Sequence, residues 1–429
     1  MKRLFSLLFL LAWGLAAPRL VVLPEDGLKP LLDLIHSAQE EIRLKAYLWT
    51  PSRLDVVEAL KEAVRRGVRV RVLLEAEPSG GRVDLTVYQA LKEAGAEVRL
   101  PQPFRFVFIH EKSMVVDRRL AWVATANLTG SSFTAHREYA LILDDPKQVE
   151  EVARVFDADW EGRRLDLSKA LLVWAPSRTV GGVREGNARE MILSLIRSAR
   201  KELFLEQSAM ADREVLEALK ETLKRGVRVR LVGSPADPQD TYFIAGAEEL
   251  KRAGAEVRYL PSPYVHAKVL VKDQKEALLG SLNLSANSLN ANRELSVLFS
   301  AQEAPEAFRR LLAVMEGDFA RGLPENPFAL PPLEGVIPWT EAPRHYGRIA
   351  TVEGRIVRVE DRGTVAFLHF GEGESDLRLV VFSRNYALFA QPFPQAYLGK
   401  TVRAKGRIVI YAGYYEIVLE SPDQLEVRP

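Results

Sequence analysis

Two short stretches carry the same ordered set of reactive side chains. Residues 109–117 read IHEKSMVVD and residues 265–273 read VHAKVLVKD, so His110, Lys112 and Asp117 recur as His266, Lys268 and Asp273. The match continues downstream. Seventeen residues separate His110 from Asn127 and His266 from Asn283, and twenty-eight separate His110 from Glu138 and His266 from Glu294. Together with Arg137 and Arg293, these positions obey a constant offset of 156 residues. Thr125 and Ser281 place a hydroxyl two residues before each asparagine.

These residue types suit attack on an anionic phosphodiester. Lys112 and Lys268 can neutralise the non-bridging oxygens, and the amides of Asn127 and Asn283 can donate to the same atoms, which is stabilisation by donors fixed in advance. A neutral imidazole can attack phosphorus and a protonated one can give its proton to the leaving oxygen. Glu138 and Glu294 suit the task of holding each ring in one tautomer. One motif supplies one histidine, whereas this reaction needs two in different protonation states. The two copies are therefore expected to face each other as halves of one site. No cluster of ligating residues recurs, so catalysis is expected to need neither metal nor other cofactor. On a strand, His110 and Lys112 share a face and Asp117 has the opposite parity, which fits a bracing role for Asp117 and Asp273.

The doubled H-x-K-x(4)-D pattern followed by G-S-x-N, here Gly280-Ser281-Leu282-Asn283, resembles the phospholipase D superfamily over roughly residues 20–320. The first copy departs from it, with Ala124-Thr125-Ala126-Asn127 lacking the glycine. The resemblance implies two α/β/α domains about a pseudo-two-fold axis, with His110 as nucleophile and His266 as acid.

Elements that would position these groups are legible around them. IHSAQEEI (35–42), GVRVRVL (67–73) and AGAEVRL (94–100) recur in order as IRSARKEL (196–203), GVRVRLV (226–232) and AGAEVRY (253–259), a duplicated domain. Within each copy, amphipathic helical stretches (28–42, 54–67 and about 85–94) alternate with strand-like ones (43–49, 68–75, then EVRLP). That alternation predicts a parallel or mixed sheet covered by helices. The boundaries fall at 19–165 for the first domain and 166–321 for the second. Arg65, Arg66, Arg69 and Arg71 are expected to be mostly solvated, His136 to sit at the rim of the site, and Asp144-Asp145-Pro146 to end a strand.

Five prolines between 322 and 338 mark a linker. From 339 to 429 the pattern is all strand, and five strands predict a small closed β-barrel of the oligonucleotide/oligosaccharide-binding (OB) type. Aromatic and basic residues interleave there: Phe382, Arg384, Tyr386, Arg403, Lys405, Tyr411 and Tyr414. Such interleaving suits stacking of single-stranded bases beside a positive groove. The leading functional expectation is thus a monomeric, exported endonuclease that holds nucleic acid through its tail. The alternative is a secreted phospholipase D or phosphatidyltransferase acting on lipid, for which Phe104, Phe106, Val107 and Phe108 offer an apolar loop near His110. A non-catalytic binding module is the third reading.

The whole chain bounds these readings. It has 429 residues, 47% hydrophobic and 27% charged, a formal charge of +2 and no cysteine, so bulk charge argues for no polyanionic partner and disulfides are excluded. Lys2 and Arg3 precede an apolar run from Leu4 to Leu15, and Gly14-Leu15-Ala16 follows the layout of a signal-peptide cleavage site. Residues 1–16 are expected to direct export. The run falls short of the roughly 20 apolar residues of a membrane span, which leaves anchoring as the lesser alternative.

Overall fold

The computed structural model describes residues 17–429 except 79, 80, 103, 104, 237, 239, 241, 374, 375 and 412. The expected export segment and Phe104 lie outside the described residues.

Each half builds one mixed sheet. In the first, the strand order is Arg19–Leu23, His136–Leu143, Leu120–Ala124, Ser113–Val116, Glu41–Ala46, Arg69–Leu74, Glu97–Arg99. In the second it is Val173–Ala175, Glu294–Ser300, Glu276–Gly280, Lys268–Lys272, Glu202–Gln207, Arg228–Gly233, Glu256–Tyr259, the same order by counterpart. The last three strands of each list are parallel and the rest antiparallel, so the duplicated mixed α/β architecture stands as expected.

Strand parity explains how the halves join. Val115, Ala121, Val123, Tyr139 and Leu141 point to a core shared with Val269, Leu279, Leu295 and Val297 of the other half. Their neighbours Met114, Val116, Trp122 and Ala124 point the opposite way, under the helices Lys29–Ser37 and Leu54–Arg65. Period-two alternation of apolar residues on both faces thus dictates a sheet buried on both sides.

The helix expected over 28–42 stops at Ser37, because Ala38 is already extended. The carboxylate of Asp117 then accepts hydrogen bonds from the backbone N–H groups of Gln39, Glu40 and Glu41 at 2.8–2.9 Å, fixing the entry to the next strand. The arginine run is mostly solvated, as expected, with Arg65, Arg66 and Arg69 exposed and Arg71 the exception. Arg66 donates to the carbonyls of Ile35, His36 and Ala38 at a helix end, and Arg71 is buried against Asp157 at 3.0 Å. Asp145 caps the helix Pro146–Trp160, as a strand-ending turn should.

The tail forms an eight-stranded sheet with its own core around Val352, Leu379, Val402 and Ile417. Its strand path runs from Val336–Pro338 through Ile349–Arg355, Thr401–Tyr411, Tyr414–Val418, Arg378–Phe382 and Val365–His369 to Arg358–Asp361, while Leu425–Arg428 pairs beside Thr401–Tyr411. The path is open, so the closed five-stranded OB-type barrel is corrected to a larger sheet. The expected five become eight because Val336–Pro338 lies in the segment expected as linker, Ile349–Asp361 breaks into two strands at Ile356 and Val357, and Leu425–Arg428 adds a last strand.

Candidate active site

The segment before each histidine crosses to the other half. Tyr264–Val265 pairs in parallel with His136 and Arg137, and Ile109 bridges Arg293 in the same sense. His110 N donates to Arg293 O at 3.0 Å and His266 N to Arg137 O at 3.1 Å. Neither histidine lies on a strand proper. Each sits between this crossing and the start of an inner strand, Ser113–Val116 or Lys268–Lys272.

This crossing hands each imidazole to the glutamate of the other copy. His110 Nδ1 lies 2.9 Å from Glu294, and His266 Nδ1 lies 2.8 Å from Glu138. Both glutamates are fully buried. Thr125 donates to Glu138 and Ser281 to Glu294, each at 2.6 Å, while Ser132 and Ser288 donate to the second oxygens. A carboxylate so held accepts a hydrogen bond from Nδ1–H, which leaves Nε2 of each ring as the working atom. Ala124 occupies the place of Gly280 without loss of register. Gly280 faces Ser296 across its strand pair, where a methyl would collide with Ser296 and the Leu295 carbonyl, whereas Ala124 faces the small Ala140.

The lysines are buried at the same point. Lys112 Nζ donates to its own His110 carbonyl at 2.5 Å and stands 4.8 Å from the Tyr47 ring centre, and Lys268 Nζ donates to the His266 carbonyl. Burial pulls Lys112 down to about 7, against Glu294 and with help from Lys268. Lys268 falls to about 8, again through burial, opposed by Glu138 and Glu294. Each cation thus feels the carboxylates of both halves, which places the two motifs in one electrostatic unit. Burial also lowers His110, against the pull of Glu294, and brings His266 to about 4 against that of Glu138. Burial works to raise Glu138, yet His266 and Lys268 hold it at about 2. Asn283 Oδ1 accepts from Ser208 Oγ at 2.8 Å, and Asn127 lines the cleft beside His266.

Asp117 and Asp273 do not face this centre. Both adopt left-handed turns, at φ 51° and 52°, and Asp273 accepts from the N–H groups of Arg200, Lys201 and Glu202 just as Asp117 does in the first half. The bracing role read from parity is what their contacts describe.

Arg137 and Arg293 were noted only for their register, and the structure gives them a function. Both are fully buried. Arg137 pairs with Asp318 at 2.5 Å on the last helix of the second half, and Arg293 with Asp159 at 3.0 Å on the last helix of the first. The available signal was the Arg-Glu dipeptide repeated at 137–138 and 293–294. His136 is closer to the centre than its rim assignment allowed. Its ring centre lies 6.1 Å from that of His266, and it lines the same cleft.

The tail residues expected to stack bases mostly have internal partners. Arg403 pairs with Glu353 at 2.6 Å, Tyr386 donates to Asp361 at 2.9 Å, and Arg384 packs over Phe382 at 5.3 Å, while Lys405 is exposed. Tyr411 and Tyr414 instead line the cleft of about 790 Å³ that contains His266.

Residues 31–160 and 192–316 match the family described as "Cardiolipin synthase, PLD-like domain". The chain belongs to the phospholipase D superfamily. Cardiolipin synthase B of Escherichia coli (strain K12) is 26% identical over 314 residues, covering 64% of this chain and 74% of that protein. Cardiolipin synthase of Geobacillus kaustophilus (strain HTA426) is 24% identical over 305 residues, covering 63% and 60%. Phosphatidylserine synthase of Haemophilus influenzae Rd KW20 shares the fold at a TM-score of 0.55 and 13% identity, over 72% of this chain and 89% of that one.

These relatives overturn the endonuclease reading: both phospholipase D-like halves align with proteins named for lipid synthesis, and no nucleic-acid substrate is supported. The tail suggests nucleic acid by its composition alone: several of its aromatic and basic residues pair with one another and with carboxylates, and those that line a cavity line the cleft over His266.

Proposed function

We propose that this chain transfers the phosphatidyl group of a phospholipid from one alcohol to another, with water as a competing acceptor. The match of both motif-bearing halves to proteins named cardiolipin synthase carries this reading. Both histidines come from one polypeptide, so a monomer suffices. Export through residues 1–16 would bring the enzyme to a membrane face.

His110 Nε2 attacks phosphorus as the bond from phosphorus to the head-group oxygen breaks, and His266 gives its Nε2 proton to that oxygen. The resulting phosphatidyl-histidine is attacked by the incoming alcohol, whose proton passes to His266 as the phosphorus–nitrogen bond breaks. Lys112, Lys268, Asn127 and Asn283 face the non-bridging oxygens throughout. With His266 at about 4, its proton must arrive together with the anionic lipid, whose charge raises the imidazole.

The test is incubation with vesicles of phosphatidylglycerol and phosphatidylcholine in the presence of a primary alcohol, read by mass spectrometry. A new phosphatidyl alcohol, absent with His110→Ala and with His266→Ala, is expected. Intact lipid after long incubation with the wild type would sink the reading.

A further inference from the structure

The tail domain lies outside the residues that match the family, yet it is docked beside one histidine. The Tyr346 hydroxyl donates to the Pro235 carbonyl, Tyr264 packs against the tail core, and Gly413 sits so close to Ala135 that a methyl there would collide with its Cβ. All three contacts fall next to the segments that carry His136 and His266. As a result Arg362, Phe367, Arg378, Tyr411 and Tyr414 form one wall of the cleft over His266. We propose that the tail is the specificity wall of the alcohol pocket, selecting hydroxylated head groups that are neutral or anionic against those that carry an amine cation.

The proposal rests on the transfer reaction above, in which His266 protonates the departing alcohol and deprotonates the arriving one. Both alcohols must therefore pass through the space beside His266. The chemistry of that space is one-sided. The described residues lining it include no aspartate or glutamate. An aromatic wall can hold an ammonium group over a ring face, but here guanidinium groups already occupy those faces. Arg378 lies 4.0 Å from the Phe367 ring centre and 3.9 Å from that of Tyr414, and Arg362 lies 5.2 Å from Phe367. Arg378 is held there by Glu416 and Arg362 by Glu360 at 2.7 Å, so an ammonium group would find those faces taken.

The opposite wall suits hydroxyl groups. It carries Thr50, Ser52, Thr129 and Ser131. His136 lines the same cleft, with both ring nitrogens buried and without a hydrogen-bond partner among the described residues. The other half has Asn292 at this position, donating to Glu294, so the pocket breaks the two-fold symmetry of the motifs.

The experiment measures relative kcat/KM for phosphatidylglycerol and phosphatidylcholine in otherwise identical vesicles. Arg362 is 60% exposed and Tyr411 68% exposed, so Arg362→Glu and Tyr411→Ala leave the fold intact. The wild type is expected to prefer phosphatidylglycerol. Reversing one charge in the pocket should move the ratio toward phosphatidylcholine by about ten-fold or more, because opposite charges a few ångströms apart interact strongly outside bulk water. Tyr411→Ala should narrow the preference while retaining turnover. An unchanged ratio in both variants, or an equal loss on both lipids with the circular dichroism spectrum preserved, would overturn the proposal. Absence of turnover by the wild type on either lipid would instead remove the transfer reading on which it stands.

Discussion

Replacing Glu294 with glutamine separates the two histidines chemically. Glu294 belongs to the second half but accepts from Nδ1 of His110 in the first, at 2.9 Å, and it is held by Ser281 and Ser288. The amide keeps the volume but presents N–H groups where the imidazole needs an acceptor. The ring then favours the tautomer with its proton on Nε2, and the attacking lone pair is lost. The equivalent carboxylate-to-amide change in a serine-protease triad costs about 10⁴ in kcat. A fall of about 10³–10⁴, or about 4–5 kcal/mol of barrier, is expected here. Removing the anion also deprives Lys112 of the partner that opposes its lowering, so that lysine drops below its present value of about 7. The assay is rapid-quench trapping of the phosphohistidine, using a lipid with a p-nitrophenyl head group whose departure needs no acid. Glu294→Gln should form the adduct at least 10³-fold more slowly, whereas Glu138→Gln, which disturbs His266, should form it near the wild-type rate. Equal adduct rates in the two variants, or a reversed order, would refute both the cross-bracing and the assignment of His110 as nucleophile.

Lys112 and Lys268 are cationic only below about 7 and 8, so the plot of log kcat/KM against pH should steepen by about one unit of slope as pH rises past 7. Lys112→Arg should remove that steepening, because a guanidinium keeps its charge. Arg137→Met leaves Asp318 buried without its main partner and should lower stability by about 3–5 kcal/mol in chemical denaturation, with much of the loss restored by a compensating Asp318→Leu. Asp117→Ala removes the acceptor of three backbone bonds and should cost about 2–3 kcal/mol of stability, while kcat per folded molecule stays within two-fold. Glu138, held at about 2, stabilises the fold above its unfolded value, and that contribution is lost as pH falls from 4.5 toward 2. The acid unfolding curve of Glu138→Gln should be flatter in that window.

The motif positions were legible because chemistry restricts residue type and the duplication supplies a second reading of each. The bracing glutamates were legible for the same reason, though not their exchange between halves, since spacing along the chain carries no information on which half a side chain meets. Arg137 and Arg293 share the motifs' fixed register, but register alone does not say what they hold. Only their burial against Asp159 and Asp318 marks them as clamps, and burial of an arginine requires a partner supplied by distant sequence. The tail misled for a related reason. Alternating rings and cations describe both a base-stacking groove and a set of cation–π pairs, and their spacing along the chain does not say that Arg378 packs on Phe367 and Tyr414.

The exchange of braces also accounts for the fixed offset of 156 residues in a chain whose repeats drift elsewhere. Within one half, the distance from histidine to glutamate sets nothing at that half's own ring, because the two never meet. Yet Arg293 pairs with the backbone around His110 while Glu294 holds its imidazole, and Arg137 and Glu138 do the same for His266. A one-residue slip in the strand His136–Leu143 would turn Glu138 away from His266 and bring Arg137 or Tyr139 into its place, since strand side chains alternate. It would also detach the backbone of the segment carrying His266. Lengthening one half between its histidine and its glutamate therefore damages the other half's catalytic group. A single insertion between Asn127 and His136 should accordingly impair His266 while leaving the His110–Glu294 pair in place. That asymmetry can be read from the p-nitrophenyl lipid, on which adduct formation should survive when exchange of natural head groups fails.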